Sequence, residues 1–213
     1  MGLDEFLNQL PEDDDASINY ASLPELSKLS TPEAEEFGQL WLEWSSNRVL
    51  EIVDRMVALC DEQPDVEFEA IYKQGLIHVN PDVRISSLKG LEESSDRTLI
   101  KPLCEMLTTD SSVEVRTAAA IPLAYLAAMA QTGKLGAKDE IALKRVLYGV
   151  LDDEREVQSV KLKALEAVSI FEDERLALHI ESAWSSPDVT ARQSSLFAMG
   201  RTSDPRWVEH VIP

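Results

Sequence analysis

The sequence predicts an all-α fold built from antiparallel helix pairs, and three observations predict it. Apolar residues recur at alternating spacings of three and four along most of the 213-residue chain, the period of a helix with one buried face. The breaks between these segments are short and carry Pro, Asp, Asn or Ser. One string recurs four times from residue 80 onward, the mark of stacked repeats. Composition agrees. Hydrophobic residues make up 44% of the chain, enough for a core, while 8 Gly, 10 Pro and 6% aromatics do not suit an all-β sandwich.

At the N-terminus, Leu3, Phe6, Leu7 and Leu10 form one stripe of a short helix that Pro11 and the run Glu12-Asp13-Asp14-Asp15 end. A helix this short needs a docking surface to persist. Residues 1–30 are read as a flexible acidic arm, and 31–213 as the helical domain. Thr31 is the expected N-cap of the next helix, with Pro32 at its first position. Phe37, Leu40, Trp41 and Trp44 supply its apolar face. After Ser45-Ser46, a second helix carries Val49, Ile52, Val53, Met56 and Cys60, and after Pro64 a third carries Phe68, Ile71, Tyr72 and Leu76.

Next comes the recurring string. Val83-Arg84-Ile85-Ser86-Ser87-Leu88-Lys89-Gly90-Leu91 aligns with the segments beginning at Val115, Val160 and Ala191. Each copy places a base (Arg84, Arg116, Lys161, Arg192) three residues before a small side chain (Ser87, Ala119, Ala164, Ser195) and seven before an aliphatic or Met. The bases are 32, 45 and 31 residues apart, so one interval holds an insertion, assigned to the turn-rich stretch 131–138. An Asp-rich turn precedes each copy and a second amphipathic helix follows it. The last of these, 205–213, is short and has no polar helix after it. Either further repeats follow, or Trp207, Val208, Val211 and Ile212 are covered by self-association.

The Asp-x-Val-Arg turn, with a small residue three positions on and a Leu seven on, resembles a HEAT repeat. The likeness is close over 80–213 and looser over 31–79, and the whole is similar to bacterial HEAT-repeat proteins without an assigned activity. It departs from the pattern at Lys161 and at Pro122, which falls inside a predicted helix and should kink it or shift its register. The resemblance implies a right-handed superhelical α-solenoid of four or five hairpins. It also implies that the ladder Arg84, Arg116, Lys161 and Arg192 is structural, pairing with a neighbouring repeat's carboxylate and bonding the backbone.

Function follows from charge and from what the motifs do not contain. There are 39 acidic residues against 20 basic ones, a net charge of -19, which repels phosphate backbones and anionic membranes. No apolar run of membrane-spanning length is evident, and the N-terminus lacks a secretory pattern, so the expected location is cytoplasmic. Cys60 and Cys104 are read as packed free thiols, with a disulfide as the alternative. His78, His179 and His210 have no metal-ligand spacing, and no nucleophile or phosphate-loop motif occurs. No metal, cofactor or catalytic residue is expected. The expected function is a non-enzymatic scaffold for a protein partner, one with a basic segment. The alternative is a lyase-like HEAT protein acting on a cofactor-bearing protein, with a nucleic-acid-binding HEAT protein behind it. In a solenoid the second helices line the concave side, and the residues out of phase with their apolar stripes are Lys101, Glu105, Lys144, Arg145, Tyr148, His179 and Ser182. Tyr148 and Arg145 lead as residue types that form interface hot spots.

Overall fold

A computed structural model describes residues 2–13, 16–171, 173–202 and 204–211. Helix is the only regular secondary structure among the described residues, and no strand occurs among them. The chain divides into two compact units, Met1–Leu91 and Glu92–Pro213. This division lies within the segment expected as one helical domain, 31–213. Charge divides unevenly: unit 1 holds 19 acids and 6 bases for a net -13, unit 2 holds 20 and 14 for a net -6.

Unit 1 contains α1 (Gly2–Gln9), α2 (Thr31–Leu40), α3 (Ser46–Glu62), α4 (Glu69–Gly75) and α5 (Pro81–Gly90), with a 3-10 turn over Tyr20–Leu26. The segment read as a flexible arm is packed here. Phe6 is buried and meets the Phe37 ring edge-on at 6.1 Å, and Leu23 and Leu26 are wholly buried. Arg48, itself buried, donates from Nη2 to the carbonyls of Pro11 (2.7 Å) and Asp13 (3.1 Å). Tyr20 hydrogen-bonds Glu51, and Lys28 N donates to Glu67 O at 3.0 Å. The docking surface that a short amphipathic helix requires is mainly the 3-10 turn Tyr20–Leu26, with the Phe37 ring of α2 closing over Phe6. The N-cap of α2 is Ser30 rather than Thr31: its backbone N–H and its hydroxyl both donate to Glu33 Oε2, at 2.9 and 2.5 Å.

Within unit 1, α2 packs on α4 and α3 on α5, while α4 also packs on α5. The α4–α5 approach is close because Gly75 faces Ser87. A Cβ at Gly75 would lie 1.9 Å from the Ser87 hydroxyl oxygen.

Unit 2 contains α6 (Ile100–Thr109), α7 (Val113–Ala128), α8 (Ala137–Asp152), α9 (Gln158–Val168), α10 (Glu174–Trp184), α11 (Val189–Arg201) and α12 (Val208–Val211). Consecutive helices pack as pairs, α6 on α7, α8 on α9 and α10 on α11. In addition α7 packs on α9 and α9 on α11 in one layer, and α6 on α8 in another. The extra residues of the long repeat do not sit in a loop alone. They lengthen α7 and α8 to 16 residues each, against 10 in α6 and 11 in α9. The link between them turns at Gly133, whose φ of 67° suits glycine. Pro122 lies within α7, which continues through it.

Contrary to the expectation that no run reaches membrane-spanning length, the helical segment Val113–Thr132 is long and apolar enough to cross a membrane by length and composition alone. Its apolarity comes from Val, Ile and Leu side chains together with seven alanines. Ala119, Ala120 and Ala127 are buried with Val115, Leu123 and Leu126, and the helix packs on α6 and α9.

The four recurring strings share one packing code. The residue before each base (Val83, Val115, Val160, Ala191), the small residue three on and the residue seven on (Leu91, Leu123, Val168, Met199) are all buried. These positions are four apart, one face of a helix. Three of the preceding turns cap the helix as expected. Asn80 Oδ1 accepts from Asp82 N (2.8 Å), Ser112 Oγ from Val115 N (3.3 Å) and Asp188 Oδ1 from Thr190 N (2.8 Å). The turn at 152–157 differs: Asp153 accepts from Arg155 N, and Val157 stands at the N-cap position without a side-chain bond.

Candidate functional site

The ladder residues are tied to backbone. Arg84 donates to His78 O, Arg116 to Asp110 O and Arg192 to Ser186 O, each from Nη1 at 2.8 Å and each six residues back, across the turn before its own helix. Lys161 makes no such bond among the described residues, because an ammonium lacks the fork that reaches sideways to a turn carbonyl. Its turn is held from elsewhere. Arg116 also grips Glu156 with both arms, Nε to Oε2 at 3.0 Å and Nη2 to Oε1 at 2.9 Å, 40 residues away. Arg116 therefore fastens two successive turns, 110–112 and 153–157.

The residues named for the second-helix layer separate into two groups. Lys101, Glu105, Arg145 and Ser182 are exposed, as their phase implies. Lys101 and Glu105 lie one turn apart with Nζ and Oε1 at 3.9 Å. Lys144 is half-buried, 2.7 Å from Glu140 Oε1 and over the Phe171 ring at 4.8 Å. Tyr148 departs from the expectation. It is 4% exposed and belongs to the core between α8 and α10, because a helix with neighbours on both sides buries a wider arc than a single stripe.

Around Tyr148 the structure builds a polar cluster. The Arg175 guanidinium covers its ring at 4.6 Å and the His179 ring lies 6.0 Å away. Asp152, at the end of α8, joins both: Arg175 bonds one carboxylate oxygen, and His179 Nε2 lies 3.3 Å from the other. Burial pushes the Tyr148 phenol up to about 12, aided by the Asp173 carboxylate. Burial also lowers His179, with Arg175 and Lys161 acting in the same direction against Asp152, so the imidazole is neutral at neutral pH. Beside His179 opens a cleft of about 250 Å³ lined by Gln158, Lys161, Ser182 and Ser186.

The Tyr148 hydroxyl has no hydrogen-bond partner among the described residues. Replacing Tyr148 with Phe is therefore expected to leave stability unchanged or raise it by up to about 1 kcal/mol, since an unsatisfied buried hydroxyl is removed with little change in shape. Denaturant unfolding of the two proteins measures it. A loss above that size would show that the hydroxyl is bonded in solution.

Two exposed residues that periodicity passed over share this layer. Ile141 precedes Arg145 by one helical turn on α8, and Leu178 stands next to His179 on α10, each about two-thirds exposed. Their signal was available as apolar residues standing outside the stripe. Among the described residues no group of three or more His, Cys, Asp or Glu could hold a metal ion, and Cys60 and Cys104 are free thiols. At the C-terminal end Trp207 is buried and Val208 is half-exposed. Ile212 and the Val211 side chain lie outside the described residues. No family model matches the chain, and no curated protein matches it.

Proposed function

We propose that the chain is a non-enzymatic interaction scaffold, a HEAT-like right-handed α-solenoid whose second-helix layer holds a protein partner. The observation that carries the repeat reading is the shared code of the four strings, three buried positions four apart, with three of the four bases bonded to the carbonyl six residues back. Support for a binding face on α8 and α10 comes from Ile141 and Leu178, two large apolar side chains standing exposed on that layer, and from Arg145, a residue type enriched at interface hot spots. The acid excess favours a partner with a basic segment and disfavours nucleic acid.

The experiment is capture with the full chain from an extract of the native cell, followed by a titration with the purified partner. The Arg145→Ala, Leu178→Ala double variant is expected to bind about tenfold or more weaker. Failure to retain any protein stoichiometrically, or unchanged affinity of the variant, would end this reading.

A further inference from the structure

The two most exposed large apolar side chains among the described residues sit on one turn. Ile77 is 84% exposed and Val79 is 82% exposed, on either side of the buried His78. The turn is pinned. His78 N donates to Gly75 O at 3.1 Å and its Nδ1 accepts from Asn80 N at 3.1 Å, while Arg84 Nη1 reaches both His78 O (2.8 Å) and Val79 O (3.1 Å). The His78 ring stands edge-on to Trp41 at 6.1 Å. That contact brings in the α2–α3 turn, where Leu42 is 60% exposed.

The same Arg-clamped turn elsewhere in the chain carries nothing comparable. The positions seven and five before the base are Ile77 and Val79 here, but Thr109 and Ser111, Glu154 and Glu156, and Ser185 and Pro187 in the other copies. The fold therefore needs no large apolar side chain at these places. In unit 1 a pinned turn holds two of them out in water, on either side of one buried ring, and exposed apolar side chains held together in this way mark a contact surface. A fixed turn also loses little entropy on binding.

Charge selects the occupant. Unit 1 carries net -13, and Glu43 and Asp82, exposed beside these turns, have no ion-pair partner among the described residues. A second copy would bring the same negative field, and an anionic membrane would be repelled. We infer that the turn presenting Ile77 and Val79 docks a protein segment bearing an apolar side chain flanked by lysines or arginines. This rests on the scaffold reading and places its basic contact on unit 1, apart from the α8–α10 face.

The test compares two synthetic peptides of equal length and charge, one of alternating Leu and Lys, the other of alternating Ser and Lys, by fluorescence anisotropy against the full chain. The Leu–Lys peptide is expected to bind at least about tenfold tighter. The Ile77→Ser, Val79→Ser double variant should erase that ratio and leave only salt-sensitive binding common to both peptides. Both side chains are exposed, so the variant keeps the fold, which matching far-ultraviolet dichroism verifies. Equal binding of the two peptides by the wild type, or a ratio retained in the variant, overturns the inference. So does a dimer in sedimentation, or attachment to zwitterionic vesicles, that the variant abolishes. The purified partner separates the two readings. If it binds the Ile77/Val79 variant normally yet is weakened by Arg145→Ala, Leu178→Ala, docking at this turn falls and the scaffold stands. If no partner is captured at all, the scaffold falls while the peptide ratio still decides docking at this turn.

Discussion

Replacing Gly90 with alanine is expected to destabilise unit 1 by about 2 kcal/mol or more, although alanine is the better helix former. A Cβ at that position would lie 2.4, 2.5 and 2.6 Å from three carbons of the Tyr72 ring. The ring has little room to move. It is buried, stands edge-on to Phe68 at 6.3 Å, and its hydroxyl lies 3.7 Å from Cys60 Sγ. Either the ring is displaced or α4 and α5 separate, and each costs packing that a methyl group cannot restore. The control is internal. Gly149 in α8 and Gly200 in α11 have nothing within 4 Å of an added Cβ, so alanine there should gain about 0.5–1 kcal/mol from helix propensity alone. Denaturant unfolding of the three variants gives opposite signs if this is right. A neutral or stabilising Gly90→Ala would mean that the α4–α5 approach is looser than it stands here.

Arg116→Ala is expected to cost unit 2 about 3 kcal/mol. The Arg116 and Glu156 side chains are 16% and 11% exposed, so the variant leaves a carboxylate with little water to compensate it, and it also releases the Asp110 carbonyl. The loss has a pH signature. The Arg116 guanidinium holds the Glu156 carboxyl below its usual range, so at acid pH the unfolded chain binds the extra proton. Stability from this pair is present above the ordinary glutamate pKa, about 4.3, and is lost as pH falls through the lower folded value. The variant should show a flatter decline in acid. Unfolding midpoints between neutral pH and pH 3 compare the two, and parallel curves would mean that the pair contributes nothing to folding.

The parts of the structure legible in the sequence were those set by local phase. Burial before, three after and seven after each base follows from helical period alone, and three of the four turn caps follow from Asn, Ser and Asp chemistry. What phase could not supply was the environment beyond one helix. Tyr148 lies outside the Leu143–Leu147 stripe, yet α10 covers it. Leu3 and Phe6 announce an amphipathic helix, but only the folded chain shows that the Tyr20–Leu26 turn and Phe37 receive it. Ile77 and Val79 follow directly on the stripe residue Leu76 and carry no mark of exposure in the sequence. Their exposure depends on a turn whose clamp, Arg84, comes from the following helix. The unit boundary at 91/92 likewise cuts within the first recurring hairpin, between α5 and α6, where the sequence carries no change of pattern.

The double grip of Arg116 bears on how unit 2 comes apart. A set of packed helix pairs in which every joint has its own fastener can fray one joint at a time, each with its own opening free energy. Here the α8–α9 joint has no arginine of its own and borrows the one that secures α6–α7. Amides flanking 110–112 and 153–157 should therefore exchange with solvent deuterium together, as one opening event spanning two helix pairs, while those around 186–188, secured separately by Arg192, open on their own.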